Sequence, residues 1–230
     1  VVVAIVSAAI MALAQREIKR MLAYLIVAEV GYMVGGIWVN NYYGMVGSIF
    51  HVISDACMTL CLFLGAGLIL RKCKTTNFDG LRGLFSKMPL TMTGFFIGGF
   101  SIIGLPPTCG FFSKWYLITG AMVSERWEYM VALLFSTMVM VVLFFRLIER
   151  IHLAVSESGE NLGKGHGDLG LTEEQTRFSE GPLSMLIPLL LAAAVVLVIG
   201  IYNQDVVNQI ETFLENLPHD AELPKEAVSK

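Results

Sequence analysis

The sequence predicts an all-α integral membrane protein, a bundle of about six transmembrane helices in which one helix is broken by prolines. Two observations favour this class. Hydrophobic residues make up 55% of the 230 residues and charged residues only 15%, whereas a typical soluble domain is about 25% charged. The apolar residues also fall in long runs, and a helix needs about 20 of them in succession to cross the hydrocarbon core of a bilayer.

Six apolar segments are long enough, or nearly so, to be transmembrane helices. They lie at 1–14, 21–39, 44–70, 89–122, 127–148 and 182–202. The first is short, lacks an initiator methionine and has no basic leader of the kind that precedes the apolar part of a signal peptide. We therefore expect the sequence to start within a membrane span.

The distribution of basic residues predicts the orientation of these spans. Residues 15–20 and 71–88 are rich in lysine and arginine, while 40–43 has neither. Positively charged loops stay in the cytoplasm, which places 15–20, 71–88 and the glycine-rich loop 149–181 there. The acidic tail 203–230 then lies on the far side, and its apolar spacing predicts an amphipathic helix. The predicted location is the plasma (inner) membrane of a bacterium or archaeon.

Few ionisable residues lie well inside the spans: Glu29, His51, Asp55 and Lys114. Such a group costs at least a few kcal/mol in the bilayer core and usually faces water or a partner. His51, Asp55 and Thr59 are spaced by four residues, so they share one face of the third span. This face suits a proton relay, because imidazole titrates near neutral pH and a carboxylate can pass a proton. It would equally serve as a static polar contact between helices.

The fourth apolar segment contains a helix break and a lysine. Gly104 is followed by Pro106 and Pro107, and proline removes a backbone donor and clashes with the preceding helical turn. Broken backbone at membrane depth is tolerated around a cavity that water can enter. Lys114 lies eight residues before Met122 at the end of the segment, about 12 Å at helical rise, too deep to reach the surface comfortably. We expect it to exchange a proton with water at the break; the alternative is a plain kink with a snorkelling lysine.

No pattern in the chain requires a cofactor, a metal or a nucleic acid. No glycine-rich nucleotide loop follows a strand, and no Ser-His-Asp or paired-carboxylate catalytic set is present. We predict no site for quinone, flavin or haem. The cysteines lack metal-ligand spacing and are interpreted as packing residues; they are Cys57, Cys61, Cys73 and Cys109.

Three stretches of the chain match the motifs of one membrane family. The first, at 16–33, reads REIKRMLAYLIVAEVGYM and is similar to acidic-[IL]-K-R-x-L-A-Y-x-x-x-x-Q-x-G-Y-M. The second, at 51–67, reads HVISDACMTLCLFLGAG and is similar to H-x-x-x-H-A-x-x-K-x-x-L-F-L-x-x-G. The third, at 104–114, reads GLPPTCGFFSK and matches G-x-P-P-x-x-G-F-x-x-K. Over about residues 1–150 the chain thus resembles the antiporter-like subunits of respiratory complex I, membrane-bound hydrogenases and Mrp cation/proton antiporters, nearest to the D-type subunit of the Mrp antiporters.

This resemblance implies a fourteen-helix parent built from two inverted five-helix repeats. Residues 1–148 would be the second repeat and 182–202 the last span. It implies a proton- or Na⁺/H⁺-translocating subunit of a multisubunit antiporter or NADH-quinone oxidoreductase-like complex. The expected partners are other membrane subunits, including the missing first repeat, and membrane lipid.

The residues carried over from the family include both matches and departures. Lys114 and His51 keep the family's lysine and first histidine, and the proline break is also kept. Asp55 stands at the second histidine, Thr59 at the central lysine and Glu29 at the usual glutamine. Either the proton route is rebuilt through Glu29, Asp55, His51 and Lys114, or the chain is a non-conducting structural subunit that has lost the relay.

The acidic departures raise a further hypothesis, a cation site. Carboxylate, hydroxyl and backbone oxygens suit a hard cation such as Na⁺ better than lysines do. The candidate ligands are Glu29, Ser54, Asp55 and Thr59.

Overall fold

The computed structural model describes residues 1–73, 84–160 and 180–216. Nine helices lie in these ranges. They are α1 (Val2–Ala14), α2 (Ile18–Trp38), α3 (Tyr42–Cys73), α4 (Leu84–Lys87), α5 (Pro89–Ile103), α6 (Cys109–Val123), α7 (Trp127–Glu160), α8 (Leu183–Ile201) and α9 (Asn203–Glu215).

The predicted class, an all-α membrane bundle, is confirmed, with fewer full-length spans than expected. Among the described residues four helical stretches are long and apolar enough to cross a membrane: α2, most of α3, the first part of α7 and α8. The segment predicted at 1–14 forms the 13-residue α1. The segment predicted at 89–122 divides into α5 and α6, of 15 residues each. The short first segment and the break at the prolines each account for one of the two missing spans.

Helix α3 lies at the centre of the bundle. It packs against α2, α5, α6 and α8, and its buried side chains include Phe50, Met58 and Leu62. Other apolar residues of the same helix, such as Val52 and Leu60, are exposed, as expected for a helix with one face toward lipid. The polar residues of α3 therefore lie where neighbouring helices can reach them.

The break between α5 and α6 follows from backbone geometry. Helix α5 ends at Ile103 and is capped by Gly104, whose φ of 89° is left-handed, a conformation that glycine adopts without steric cost. The N–H groups of Gly104 and Leu105 both donate to the Phe100 carbonyl at 3.0 Å. Pro106 and Pro107 follow, and neither has an N–H to continue the ladder. Helix α6 starts at residue 109.

The regions predicted as loops are described only in part. Residues 149–160, predicted as the start of the cytoplasmic loop, continue α7 as helix. Residues 161–179 of that loop, 74–83 and 217–230 lie outside the described residues. The tail forms α9, which packs against α3 and α8 and buries Val207, Ile210 and Leu214. The sidedness of the loops and tail stays a prediction.

Candidate functional site

Three ionisable residues from three different helices meet inside the bundle. Glu29 comes from α2, His51 from α3 and Lys114 from α6, and their exposed fractions are 0%, 0% and 4%. The Lys114 Nζ lies 3.3 Å from Glu29 Oε1. The His51 Nε2 lies 2.8 Å from Glu29 Oε2. Each oxygen of one carboxylate thus faces a different base, and we call this arrangement the Glu–His–Lys cluster.

The helix break supplies further partners for the Lys114 ammonium. Its Nζ donates a hydrogen bond to the carbonyl of Ile102, in the last turn of α5. The last carbonyls of a helix lack intrahelical partners and carry partial negative charge, so they favour a cation. The ammonium also lies 5.1 Å from the ring centroid of Tyr32, within cation–π range, and 4.0 Å from the Met140 sulfur. The broken helix therefore forms part of the lysine's binding environment.

The second nitrogen of His51 has its own partner. His51 Nδ1 lies 2.9 Å from Ser113 Oγ, and Ser113 Oγ donates to the Gly110 carbonyl at 3.1 Å. On its other side, the approach of His51 Nε2 to Glu29 Oε2 is an ion-pair contact without hydrogen-bond alignment. Both ring nitrogens are thus held by polar groups from neighbouring helices.

Two buried tyrosines lie beside the charged groups. Tyr32 lies one helical turn after Glu29 on α2, and its ring centroid is 5.7 Å from that of His51. The hydroxyl of Tyr129 on α7 donates to the Tyr32 carbonyl at 2.7 Å. Both tyrosines are fully buried. They fix the position of α2 relative to α7 beside the cluster.

The remaining predicted residues of α3 have different surroundings. Asp55 is 9% exposed and forms no ion pair within the described part of the chain; it interacts electrostatically, at longer range, with Glu29 and Lys114. Its Oδ1 and the hydroxyl of Ser54 are buried without a hydrogen-bond partner. The Thr59 hydroxyl donates to the Asp55 backbone carbonyl, so it is turned toward its own helix. Within the described ranges no group of three or more His, Cys, Asp or Glu side chains is arranged to hold a metal ion.

The residues of the break lie close to the cluster and to α8. A Cβ at Gly104 would stand 3.4 Å from Lys114 Cδ, so the glycine lies against the lysine side chain. The Pro107 carbonyl approaches Gly200 of α8 so closely that a Cβ at position 200 would collide with it. The break is thereby held between the lysine on one side and α8 on the other.

Sequence reasoning missed three partners of the cluster: Ser113, Tyr32 and the Ile102 carbonyl. Two of them had a signal. Ser113 is the residue before Lys114, and Tyr32 is three residues after Glu29, a spacing that places Tyr32 and Glu29 on one helix face. The Ile102 carbonyl had none, because backbone partners across a break depend on how the two half-helices cross.

Comparison with known proteins identifies the family. Residues 1–140 match the family described as NADH:quinone oxidoreductase/Mrp antiporter, transmembrane. The chain belongs to this family. Its members are integral membrane proteins, and the chain is a multi-pass membrane protein of that kind.

Two relatives represent two branches of the family. The NADH-quinone oxidoreductase N subunit of Desulforudis audaxviator (strain MP104C) is 38% identical over 208 residues, covering 87% of this chain and 40% of that protein. The D-type subunit of the Na(+)/H(+) antiporter of Alkalihalophilus pseudofirmus is 31% identical over 189 residues, covering 82% of this chain and 35% of that protein. The predicted resemblance thus holds for both the complex I and Mrp branches, and of these two relatives the N subunit has the higher identity, not the D-type subunit that the sequence motifs favoured. The chain spans well under half the length of these relatives.

Solved structures show the same fold. A chain of an archaeal membrane-bound sulfane sulfur reductase superposes with a TM-score of 0.77 at 26% identity, covering 92% of this chain and 40% of that one. A chain of the Mrp complex from Dietzia sp. DQ12-45-1b gives a TM-score of 0.80 at 19% identity, covering 94% and 46%. Both are chains of membrane complexes.

Proposed function

We propose that this chain forms part of a proton- or Na⁺/H⁺-translocating subunit of a multisubunit membrane complex, of the antiporter or NADH-quinone oxidoreductase-like type. The observation that carries the proposal is the Glu–His–Lys cluster, buried in the bundle and joined to the broken helix. Buried ionisable residues in membrane helices usually belong to an ion path or a proton relay. The relatives, named as N-type and D-type subunits of such complexes, support the same function.

The geometry of the cluster suits stepwise proton transfer. Glu29 faces His51 with one oxygen at 2.8 Å and Lys114 with the other at 3.3 Å. A proton accepted by the carboxylate from one base can therefore be released toward the other with little movement of heavy atoms. We infer that Glu29, which replaces the family's glutamine, connects the histidine to the lysine in this chain.

Asp55 extends this path along α3. It lies one helical turn beyond His51, and its unpartnered, largely buried carboxylate oxygen is free to accept a proton. Because Thr59 stands where the family has a lysine and its hydroxyl bonds to its own helix, it offers no base at that point. The proposed order is therefore Asp55, His51, Glu29 and Lys114.

A second candidate for the coupled ion is Na⁺. The unpartnered Ser54 hydroxyl and Asp55 carboxylate favour it, since hard cations prefer oxygen ligands. Glu29 is already engaged by two bases and Thr59 by a backbone carbonyl, so Ser54 and Asp55 would carry most of the binding. Sodium-dependent protection of Asp55 from a carboxyl-modifying reagent would support this candidate, and protection that is indifferent to sodium would remove it.

The proposed partners are other membrane subunits, including the part of the protein that corresponds to the first repeat, and the surrounding lipid. Exposed apolar side chains on α7, such as Val131, Met138 and Phe145, suit either lipid or a neighbouring apolar helix.

The deciding experiment measures the pH gradient formed by inverted membrane vesicles that contain the whole assembly. Lys114→Ala is expected to abolish the gradient because it removes the only base on α6 that contacts Glu29 in the described structure. Lys19→Ala, at an exposed position, is the matched control. Assembly is checked by native gel. A normal gradient with Lys114→Ala in an intact assembly would assign the chain a structural function instead.

A further inference from the structure

We propose that Ser113 fixes the tautomer of His51, so that the Glu29–His51 pair retains an additional proton next to Lys114. The inference rests on the proposed function and adds a positioning residue to it. Ser113 does not itself pass the proton. It determines whether the imidazole nitrogen that faces the carboxylate, Nε2, carries a hydrogen or a lone pair.

The Ser113 hydroxyl has a single hydrogen. Serine can donate one hydrogen bond and accept others. Its hydrogen goes to the Gly110 carbonyl, three residues earlier on α6, at 3.1 Å; this is a common backbone contact for a serine inside a helix. Toward His51 Nδ1, at 2.9 Å, the hydroxyl can then only accept. The tautomer of a buried histidine is assigned from its hydrogen-bond network, and with the hydroxyl in this orientation the hydrogen between them belongs to Nδ1.

A neutral imidazole has one N–H, and here it is used on the serine side. The other nitrogen, Nε2, then presents a lone pair to Glu29 Oε2 at 2.8 Å. Two unprotonated acceptors at this distance repel each other, and the repulsion is removed when one of the two groups carries an additional proton. That proton lies either on His51, making an imidazolium, or on Glu29, making a neutral acid.

The charges around the pair favour the same state. The titratable groups that face it are Glu29 and Tyr32 from α2, Asp55 from α3, Lys114 from α6 and Tyr129 from α7, while α5 contributes the Ile102 carbonyl. While both carboxylates are ionised, both tyrosines are neutral and Lys114 is charged, the net charge of the group is −1, and one further proton brings it to zero. A buried group in a membrane is less costly when neutral overall.

Because Ser113 favours the state with the additional proton, it affects transport. The pair holds a proton one contact away from the lysine, so Glu29 can supply Lys114 without waiting for a proton from outside the bundle. Without the serine, His51 can adopt the other tautomer, in which Nε2–H donates to an ionised Glu29. In that arrangement the contact is favourable without an additional proton. As the pH rises, the Glu29–His51 pair therefore loses its additional proton at a lower pH than in the wild type.

The direct test is ¹⁵N NMR of histidine-labelled protein in the whole membrane assembly at neutral pH. The chain has four histidines, so His51→Gln identifies the relevant signal. We expect Nδ1 of His51 to be protonated in the wild type and in Ser113→Thr, which keeps the hydroxyl, and unprotonated in Ser113→Ala. An unprotonated Nδ1 in the wild type, or an unchanged Nδ1 in Ser113→Ala, overturns the proposal.

The second readout is the pH profile of gradient formation. In Ser113→Ala the alkaline limb is expected to move to lower pH by about one unit, a tenfold loss of proton affinity, while Ser113→Thr keeps the wild-type profile. An alkaline limb that stays in place in Ser113→Ala contradicts the inference. The NMR measurement does not depend on transport. An assembly that forms no gradient but has a protonated Nδ1 would therefore contradict the proposed transport function and still support the tautomer assignment.

Discussion

Two polar residues of α3, one helical turn apart, have opposite surroundings. His51 contacts Glu29 on α2 and Ser113 on α6. Asp55 has a buried oxygen with no partner and interacts with charged residues only at longer range. Both lie on the same stripe of the helix, so the stripe alone does not decide which residue joins a network. Whether a residue joins the network depends on which side chains the neighbouring helices place next to it.

The largest expected effect comes from removing the carboxylate that joins the two bases. Glu29→Gln leaves Lys114 and His51 without their shared counter-charge in a buried site, where breaking a buried pair costs about 3–5 kcal/mol. We expect the vesicle gradient to be lost and the thermal transition of the purified assembly to fall.

The exposed residue Glu128 provides the control, as Glu128→Gln removes an acid without removing a buried contact. If Glu29→Gln has the same thermal transition and the same vesicle gradient as Glu128→Gln, then Glu29 does not connect His51 and Lys114 into one functional cluster.

A smaller effect is expected at Asp55. Asp55→Asn removes a charge but no ion pair, so the free energy of unfolding should change by no more than about 0.5–1 kcal/mol. The translocation rate should still fall, because the amide cannot pass a proton. Rate and melting measurements on the same preparation separate the two. A loss of stability as large as that of Glu29→Gln would mean that Asp55 has a structural partner after all.

The sequence predicted the helices well and the site only in part. The six apolar runs and the break at Pro106-Pro107 were predictable because hydropathy and proline chemistry act locally. Glu29, His51 and Lys114 were predictable as a set because ionisable residues are rare in membrane helices. Their pairing was not, since it depends on the rotation of α2 and α6 about their axes. Thr59 shows the limit most clearly: its spacing placed it with His51 and Asp55, yet its hydroxyl bonds to the backbone of α3.

A variant at Thr59 tests whether the two regions of α3 can be joined. Thr59→Lys restores the base that the family has at this position and places it one turn from Asp55 on the same face. We expect an ion pair of a few tenths of a kcal/mol at this partly exposed position and a translocation rate at least equal to that of the wild type. Thr59→Met, of similar length without charge, is the control. If the translocation rate falls equally in both variants, the size of the side chain at position 59 matters and the missing base does not.

The smallest expected effect lies at the other end of α5, far from both regions. Glu180 accepts hydrogen bonds from the Leu90 N–H at 2.8 Å and the Thr91 hydroxyl at 2.8 Å, and so caps the first turn of the half-helix. Glu180→Gln should cost about 1 kcal/mol or less of stability and leave the gradient intact. If the variant assembles but forms no gradient, the contact of Glu180 with the first turn of α5 would determine the position of the helix break.

The contact between Gly200 and Pro107 has a consequence for how the molecule is divided. The family model matches residues 1–140, but the carbonyl that the break leaves at Pro107 is covered by α8, which begins at Leu183. An uncovered carbonyl facing hydrocarbon has no hydrogen-bond partner, so the repeat is not a self-sufficient unit in lipid. The last helix shields the break from lipid, and the structural unit is longer than the stretch that the family model matches.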